Sequence, residues 1–388
     1  MPTVAIVDDS GVMTGIGTFM RSLVGALLEH PASAAWQVRL VLPERDIAGN
    51  EVSWPEGLRS AGLAVERIPD QPPAGVAAWL EDRLGAGGCD VAYFVSPDRL
   101  PALATRVPLV ATFHDFNYRR FVTLPRPMRA RLEHELLLWA ERAAVCVVSS
   151  RFIAGEMASY FPAAAAKLRV VRLGIPPAAE PAPAPSAELP RRFVLTVGWL
   201  AAHKNQAPIF EALALLRRRG REEALVCVGP NSRQLQDPAP AQDSYVSELR
   251  DLARRHDLQP GRDFYGAGSV SDAELAALYR AADALVVPSL YEAGSFPLRE
   301  AAQAGCPVVC SDVPPLVEDS KLLGGSALLF DPDDPASIAD ALEATLTRPA
   351  ETAARVERAL ELCGQVFDWR RTASGYLAAF ARALEAAA

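Results

Sequence analysis

Residues 284–310 read ALVVPSLYEAGSFPLREAAQAGCPVVC and contain two apolar strand candidates on either side of a helical segment. The strands are Ala284–Val287 and Pro307–Cys310, and Pro297 suits the first turn of the helix between them. A strand, a helix and a second strand in this order are typical of a parallel α/β fold. The loop before the helix follows the carboxyl end of a strand, where ligands bind in open α/β sheets.

The same alternation extends outward from this segment along the whole chain, with helical stretches such as Thr18–Leu28 and Pro127–Ala143. The other strand candidates are Val4–Val7, Val38–Leu42, Val91–Val95, Leu109–Phe113, Val145–Ser149, Phe193–Val197, Ala224–Val228, Asp263–Gly266 and Ala327–Phe330. Residues 176–190, PPAAEPAPAPSAELP, continue neither a helix nor a central strand and indicate a linker.

The sequence therefore predicts an α/β protein with two Rossmann-like, doubly wound parallel-sheet domains that face each other across a cleft. The first domain spans residues 1–175, the proline-rich linker residues 176–190 and the second domain residues 191–365. A terminal helix, residues 366–388 with Tyr376 and Phe380 on one face, either completes the second domain or packs back on the first.

Composition and charge limit the classes of function. The chain has 388 residues, enough for two domains with a core each, and a formal net charge of -8. The charge argues against a general nucleic-acid binder, which needs a basic surface for phosphates. We find no secretory signal and no apolar run long enough to cross a bilayer, so we expect a cytoplasmic protein, at most attached to the inner face of a membrane. Six scattered cysteines suit reduced core thiols and not a zinc site.

Two polar clusters follow predicted strands of the first domain. The first holds Gly15 and Gly17 before a helix, where glycines permit close approach of the backbone and a helix N-terminus favours an anion. A tight strand-to-helix turn explains the same glycines. The second is His114, within Thr112–Phe116, where a histidine can hydrogen-bond a sugar hydroxyl, act as an acid or base, or only cap the next element.

Two further clusters follow strands of the second domain. Lys204 comes after Phe193–Val197, where it is a suitable point charge for a diphosphate, although a single lysine is more often merely solvated. Glu292 lies on the loop and Glu300 one turn into the helix, with the backbone amides between them directed at an anion. The alternative is a salt-bridged Glu300 and a solvated Glu292.

With these residues identified, the chain resembles the retaining glycosyltransferases of family 4, which have the GT-B fold. Glu292 and Glu300 match the Glu-x7-Glu motif of that family, within PSLYEAGSFPLREAAQAGCPVVCSDVPPLVED. The resemblance continues through GAGSVSDAELAALYRAADALVVPS, LLFDPDDPASIADAL, Thr112 to Asp115 and VVSSRFIAGEM. It covers essentially the whole chain and is strongest in the second half.

The resemblance implies a role for each matching residue. Glu300 is similar to the glutamate that holds the nucleotide ribose, and Glu292 to the one near the hydroxyls of the donor sugar. Lys204 is similar to the lysine that binds the diphosphate, and His114 to the histidine that contacts the transferred sugar. The other matches surround the phosphates or the sugar and are Gly15, Gly17, Gly294, Ser295 and Phe296.

The chain also departs from the family's pattern. Family members commonly carry an arginine beside this lysine or just after the preceding glycine, whereas this chain has His203 and Trp199. Lys204, backbone amides and a protonated His203 are therefore the expected diphosphate ligands. The usual Gly-Phe-Gly after the first glutamate is Ala293-Gly294-Ser295, a variant of the sugar pocket.

The resemblance implies attack by the acceptor from the leaving-group face, with a phosphate oxygen taking the proton, so Glu292 positions the substrate and is not a nucleophile. We expect no metal and no other cofactor. Asp331-Pro332-Asp333 resembles the Asp-x-Asp of metal-dependent glycosyltransferases, but its place after a strand indicates a turn and a helix cap. Similarity to bacterial mannosyltransferases favours GDP-mannose over UDP-sugars as the donor. The acceptor is a glycan, a lipid-linked molecule or a small molecule.

Two other functions remain open. A sugar-nucleotide epimerase can share the two-domain fold, and the missing arginines leave room for a non-catalytic partner protein that binds a sugar nucleotide. A glycogen-type phosphorylase is disfavoured by the modest length. Tyr118–Phe121 with Arg126, Arg129 and Arg131 combines cations with aromatic rings, which suits either an anionic lipid-linked acceptor at a membrane face or a solvated helix face.

Overall fold

The structure, a computed structural model, describes residues 1–8, 15–44, 63–98, 100–121, 124–176 and 189–387. The chain divides into two compact units, one of Met1–Gly174 together with Phe367–Ala388, and one of Ile175–Val366. Each unit is built on one parallel sheet, which confirms the predicted fold class of two parallel α/β domains. Most of the predicted linker, residues 177–188, lies outside the described residues.

Over its described residues, the sheet of the first unit has seven strands: β1 (Thr3–Val7), β2 (Gln37–Pro43), β3 (Ala64–Ile68), β4 (Val91–Phe94), β5 (Leu109–Thr112), β6 (Val145–Val148) and β7 (Leu168–Val170). All pairings are parallel, and the spatial order is β3-β2-β1-β4-β5-β6-β7. The order reverses between β1 and β4, where an open α/β sheet offers a crevice at the strands' carboxyl ends. The helices along the first part of this unit are α1 (Gly15–Glu29), α2 (Pro73–Arg83), α3 (Arg126–Arg142) and α4 (Arg151–Tyr160).

The sheet of the second unit has six strands: β8 (Phe193–Val197), β9 (Ala224–Val228), β10 (Phe264–Gly268), β11 (Ala284–Val287), β12 (Val308–Ser311) and β13 (Ala327–Phe330). Their order, β10-β9-β8-β11-β12-β13, reverses between β8 and β11. The helices of this unit are α5 (Ala207–Arg218), α6 (Ser244–Arg255), α7 (Asp272–Ala281), α8 (Phe296–Ala304), α9 (Pro314–Leu322), α10 (Pro335–Thr347) and α11 (Pro349–Val366).

The core of the second unit forms where α5 lies against the sheet. Its residues Ile209, Phe210, Leu213 and Leu216 are each at most 1% exposed, at the spacing of one helical face. The ring of Phe210 meets that of Phe264 edge to face, with 5.3 Å between the centroids. Each such buried side chain contributes about 1.5–3 kcal/mol to the stability of the unit. This core holds the carboxyl ends of the strands in fixed positions.

The terminal helix α12 (Trp369–Ala387) belongs to the first unit, one of the two positions that the sequence left open. Its residues Tyr376 and Phe380 are fully buried. The Tyr376 hydroxyl lies 2.9 Å from Oγ1 of Thr112, which is also 2.9 Å from the Tyr93 hydroxyl. The first unit is therefore assembled from both ends of the chain.

Every strand predicted from the sequence is present, with ends displaced by at most two residues. The sequence analysis missed β3 and β7, which are edge strands of the first sheet. Both are short and carry charged residues, and most of their side chains are at least partly exposed. They therefore lack the continuous apolar run that identifies a central parallel strand.

All six cysteines are free thiols, and all but the half-buried Cys89 are buried. Within the described ranges, no helix has the length and apolar character needed to cross a bilayer.

Candidate functional site

The site in the second unit lies where the strand order reverses, at the carboxyl ends of β8 and β11. The turn after β8 contains His203 and Lys204, and the loop after β11 runs from Pro288 to Ser295. The two segments are joined directly, because the amide of Leu290 donates to the carbonyl of His203 at 2.9 Å. Side chains from both segments consequently meet at the crevice where open α/β sheets bind ligands.

Lys204 and Glu292 form an ion pair at this crevice. Nζ of Lys204 is 2.7 Å from Oε1 of Glu292, and the Ser289 hydroxyl donates to the same oxygen at 2.7 Å. Glu292 is 9% exposed, and the side chain of Lys204 is 24% exposed. The ammonium is thus anchored from one side and remains accessible from the other, as a residue that receives an anion must be.

The turn that carries Lys204 is closed by its neighbour. Asn205 adopts the left-handed conformation (φ 56°, ψ 44°), which asparagine tolerates better than most residues. Its side-chain amide donates to the carbonyl of Pro332 at 2.9 Å. The position of Lys204 therefore follows from local backbone geometry as well as from its ion pair.

The loop after β11 leads into α8 through a capped N-terminus. Ser295 caps the helix by accepting a hydrogen bond from the amide of Leu298 at 3.3 Å, and Pro297 occupies the first turn as predicted. Gly294 has φ +156°, and a Cβ there would lie 2.4 Å from Nη2 of Arg299. The loop therefore needs glycine at this position to pass the guanidinium. Glu292 precedes the helix and Glu300 lies within it, which confirms the predicted loop start.

One predicted anion ligand in this loop is already committed elsewhere. The backbone amide of Ser295 donates to the carboxylate oxygen Oδ2 of Asp319 at 2.9 Å, so it is engaged within the protein and is not directed at a ligand, contrary to the prediction. The carboxylate of Asp319 is a stronger acceptor than a neutral group, because charge-assisted hydrogen bonds are the stronger kind. The predicted amide contacts now rest on Gly294 and Phe296.

A buried ion pair that the sequence analysis missed holds this loop. Nε and Nη2 of Arg299 donate to Oδ2 and Oδ1 of Asp319 at 3.1 and 2.9 Å. Their side chains are only 2% and 3% exposed. A bidentate pair of this kind fixes both orientation and distance. The sequence feature that could have indicated this pair is Arg299 itself, which follows the apolar Leu298 and directly precedes Glu300, the predicted ribose ligand.

Glu300 has a different partner from Glu292. Its Oε2 accepts a hydrogen bond from the Tyr279 hydroxyl at 2.9 Å. Burial raises the pKa of the Glu300 carboxyl; the hydrogen bond from Tyr279 opposes this and the charge of Asp272 adds to it. The two glutamates of the motif are therefore held by separate neighbours, one by an ion pair and one by a phenol.

His114 lies in the first unit, two residues beyond the end of β5. Nε2 of His114 is 2.8 Å from the carbonyl oxygen of Val95. Since a carbonyl only accepts, Nε2 carries the proton and Nδ1 is the accepting nitrogen of the neutral ring. Burial lowers the pKa of the imidazole, although Asp115 and other nearby carboxylates oppose this. At neutral pH the ring is therefore uncharged, and its Nδ1 can accept a hydrogen bond.

In the first unit, His114 lines a cavity of about 220 Å³. Its lining residues come from several loops and include Ile16, Ser96, Asp98, His114, Asp115 and Tyr118. Ile16 belongs to the first turn of α1, so the helix start that holds Gly15 and Gly17 adjoins this cavity. The preceding residues of the predicted glycine cluster, 9–14, lie outside the described residues.

Neither residue in place of the family's arginines adds a permanent cation. The indole of Trp199 is uncharged and 54% exposed. His203 is half-buried within the 3₁₀ turn, and its carbonyl receives the Leu290 amide. Lys204 is therefore the permanent cation that this turn contributes to the site.

The Asp-x-Asp segment is a turn, as predicted. Oδ1 of Asp331 accepts the amide of Asp333 at 2.9 Å, and the amide of Asp331 donates to Ser337. The cap of α10 is the next residue, Asp334, whose Oδ1 accepts the amide of Ala336. Among the residues that the structure describes, no group of three or more histidine, cysteine or acidic side chains is arranged to hold a metal ion.

The basic segment of the first unit is largely paired. Arg119 stacks over the Tyr160 ring at 4.0 Å and forms an ion pair with Glu133 at 3.5 Å. Arg120 pairs with Glu156 at 2.8 Å, and Arg129 with Glu133 at 3.3 Å. These contacts commit Arg119, Arg120 and Arg129 to partners within the unit, as in a solvated, ion-paired face, whereas Arg126 and Arg131 stand at exposed positions.

Comparisons with known proteins agree with this architecture. The family model described as "Glycosyl transferases group 1" matches residues 182–361, and "Glycosyltransferase Family 4" matches residues 13–179. The two parallel-sheet α/β domains have the architecture of the GT-B fold. Since the two models account for both halves of the chain, the protein belongs to the glycosyltransferases of family 4.

Among curated relatives, a glycogen synthase from Mycobacterium tuberculosis is 30% identical over 70% of this chain. That match spans 64% of the length of the mycobacterial enzyme. A D-inositol 3-phosphate glycosyltransferase from Arthrobacter is 28% identical over 97% of this chain and 87% of its own. Among solved structures, Anabaena HepE in complex with UDP-glucose superposes with a TM-score of 0.72 at 18% identity, covering 98% of this chain and 100% of HepE. At that identity the likeness shows the fold alone.

Proposed function

We propose that this chain transfers a sugar, with retention of anomeric configuration, from a nucleotide-sugar donor to a glycan, lipid-linked or small-molecule acceptor. The observation that carries the proposal is the Lys204–Glu292 pair at the strand reversal of the second unit, beside the capped start of α8. The leaving group of such a reaction is a nucleoside diphosphate. Fixed positive charge stabilises it as its bond to the sugar's anomeric carbon breaks. A lysine and a helix N-terminus supply that charge.

Lys204 acts on the diphosphate in this proposal, and Glu292 positions both the lysine and the donor sugar. Oε1 of Glu292 already accepts bonds from Lys204 and Ser289, so this oxygen is stabilised as an anion and is a poor nucleophile. The acceptor attacks from the leaving-group face, and a phosphate oxygen takes its proton. The configuration of the product, measured by NMR, tests this step, because an inverted linkage would contradict it.

His114 and Glu300 recognise hydroxyl groups in this scheme. The neutral ring of His114 offers Nδ1 to a hydroxyl of the transferred sugar. The carboxylate of Glu300, oriented by Tyr279, accepts from the ribose hydroxyls. In each case the side chain that accepts the hydrogen bond is oriented before the substrate arrives, which reduces the entropic cost of binding.

We further propose that catalysis needs no metal. The Asp331–Asp333 turn uses its polar groups internally, and Lys204 with the α8 N-terminus supplies the positive charge. Activity should therefore survive a strong chelator. Complete loss of activity in the chelator, restored by manganese, would overturn this part of the proposal.

The donor is GDP-mannose in our proposal, on the similarity of the Thr112–Asp115 and Glu292–Ala301 segments to bacterial mannosyltransferases. The test is a screen of GDP-mannose, UDP-glucose, UDP-GlcNAc, UDP-galactose and dTDP-sugars, with binding and slow hydrolysis measured together. D-inositol 3-phosphate, which the Arthrobacter relative's name suggests, joins the acceptors tested.

Matched variants make the screen specific to this site. Replacing Lys204 by alanine removes a charge-assisted contact of about 1.5–3 kcal/mol, roughly a ten- to hundredfold loss in affinity. Glu300→Ala should also weaken binding, whereas Lys321→Ala and Glu357→Ala, at exposed positions, should not. Binding with no transfer across many acceptors would instead favour the non-catalytic partner, and conversion of UDP-GlcNAc without acceptor would favour the epimerase.

A cytoplasmic location with contact to the inner membrane face is also proposed. Its support is the exposed start of α3, where Arg126, Met128 and Arg131 lie at the surface. Arginines and an apolar side chain of this kind suit an anionic bilayer surface. Sedimentation with phosphatidylglycerol vesicles, reduced in an Arg126→Ala, Arg131→Ala variant, tests the contact; equal sedimentation of both proteins would contradict it.

A further inference from the structure

The second unit contains an open cleft of about 560 Å³ that the proposed donor contacts leave unused. It lies at the carboxyl ends of β8 and β9, on the same edge of the sheet as Lys204 and Glu292. Its lining residues include Trp199, Asn231, Gln234, Gln242, Asp243 and Ser244.

The indole of Trp199 is exposed, but the backbone beside it is locked on both sides. Asn231, 5% exposed, accepts from the Leu200 amide and donates to the Leu200 carbonyl, both at 2.9 Å. Gln206, 2% exposed, donates to the Trp199 carbonyl at 3.1 Å and accepts from the Ala201 amide at 3.3 Å. Two buried amides thus fix the base of a side chain that is 54% exposed. On a fixed backbone beside a cleft, an exposed indole offers a flat apolar face, a platform on which a ring can stack.

The backbone beneath the platform is equally constrained. Gly229, at the end of β9, approaches the carbonyl of Gly198 so closely that a Cβ there would lie 2.0 Å from the oxygen. On the opposite wall, the guanidinium of Arg250 donates to the carbonyls of Gln234, Asp237 and Ala239. The cleft is therefore formed before any ligand arrives.

The wall is uncharged apart from one carboxylate. Among the described residues that line it there is no lysine or arginine, and the carboxylate of Asp243 already accepts from the Asn231 side chain and the Tyr245 amide. Gln234 accepts the Gln242 amide at 3.0 Å, which leaves its own NH₂ group as a donor. An indole face together with amides and a hydroxyl matches a ring that is apolar on its faces and hydroxylated at its rim. A phosphate would find no cation in this lining.

We infer that this cleft is a saccharide subsite, with Trp199 as its platform, that receives a neutral sugar residue of the acceptor or product glycan. The inference rests on the proposed function, because it takes a glycan as the occupant. Its open shape suits a sugar within a chain better than a free nucleobase, which proteins enclose more completely. The position given to arginine in many family members thus serves sugar recognition in this chain.

The experiment measures binding of maltotriose, mannotriose and cellotriose to the full chain without donor, by saturation-transfer NMR and by titration. At least one trisaccharide should bind. Its affinity should fall by about tenfold or more in Trp199→Ala, by less in Trp199→Phe, and measurably in Gln242→Ala. Trp79→Phe, a tryptophan change in the first unit outside the cleft, is the matched control and should bind as the parent does. Thermal melting verifies that each variant is folded.

Binding of GDP and UDP, measured in the same variants, separates this inference from the proposed donor site. If a nucleoside diphosphate binds but no trisaccharide does, or if Trp199→Ala binds the trisaccharide unchanged, the subsite is refuted and the donor site stands. If Trp199→Ala weakens GDP or UDP binding and leaves trisaccharide binding unchanged, the cleft belongs to the nucleotide and the inference is wrong. If the trisaccharide depends on Trp199 while neither diphosphate binds, the subsite is supported and the donor proposal fails.

Discussion

Replacing Asp319 by alanine should destabilise the second unit by about 3–5 kcal/mol, since it removes one partner of a buried ion pair. Asp319 receives three hydrogen bonds, two from Arg299 and one from the Ser295 amide. In the variant the guanidinium of Arg299, 2% exposed, is left without its counter-ion. The Ser295 amide also loses its acceptor, and an unsatisfied buried donor costs about 1–3 kcal/mol. Water that enters the space left by the carboxylate offsets the cost of the Ser295 amide, so the expected total stays at about 3–5 kcal/mol.

The measurement is urea denaturation followed by circular dichroism, with calorimetry to separate the unfolding of the two units. The control is Asp340→Ala, which removes one partner of the surface pair with Arg219, where the aspartate side chain is 68% exposed. Exposed pairs contribute little, so this variant should unfold close to the parent. A loss of several kcal/mol is a large part of a stability of about 5–15 kcal/mol, so the difference between the two variants is easily resolved.

A double variant separates stability from positioning. Arg299→Met with Asp319→Leu replaces the ion pair by apolar side chains, a change that is often neutral for stability. It should recover most of the stability lost in Asp319→Ala and stay below the parent by about 1–3 kcal/mol, because the Ser295 amide still lacks its acceptor. It should nevertheless bind nucleotide sugar weakly, because the loop beside Glu292 is no longer fixed. If Asp319→Ala costs less than about 1 kcal/mol, or if the double variant binds donor normally, our account of this pair is refuted.

Three further predictions concern charge and protonation. Burial raises the pKa of Glu300 above its ordinary 4.5, so donor affinity should fall as the pH decreases through that raised pKa. Calorimetric titration should show no such fall in Glu300→Gln, and a fall at higher pH in Tyr279→Phe, because the hydrogen bond from Tyr279 lowers the pKa of Glu300. Burial lowers the pKa of His114 below 6.5, so the unfolded chain protonates first and stability should decrease as pH falls from about 6.5 toward the folded-state pKa; urea midpoints of His114→Gln should be flatter in that window, and parallel curves would refute the assignment. Glu292→Gln should slow transfer without trapping a glycosyl-enzyme, and a covalent adduct in intact-mass spectra would show that this residue is a nucleophile instead.

The central strands were predictable because each is a continuous apolar run in a sheet buried on both faces. Their parallel order also placed Lys204 and Glu292 after strands that end at the same edge of the sheet, but the ion pair between the two residues is seen only in the structure. The edge strands β3 and β7 gave no such signal, because their exposed side chains need not be apolar.

Contacts between distant parts of the chain were not predictable in the same way. The partner of Arg299 lies twenty residues further along the chain on another helix, and no periodicity connects the two. The hydrogen bond from the Ser295 amide to Asp319 depends on that pairing, so the sequence analysis assigned this amide to a ligand when its partner is a side chain of the protein. Likewise, His114 was identified from its position after a strand, whereas its tautomer depends on the Val95 carbonyl in a different loop.

The return of α12 to the first unit has a consequence for how the protein is made. Residues 175–366 contain the six described strands of the second sheet, whereas the first unit also needs α12, which is made after them. During synthesis the second unit can therefore fold once residue 366 has left the ribosome, whereas the surface that receives Tyr376 and Phe380 stays uncovered until α12 emerges. In nascent chains that end at residue 366 and carry an added flexible linker long enough to bring that residue out of the ribosome, protease should cut the sheet of the first unit faster than that of the second.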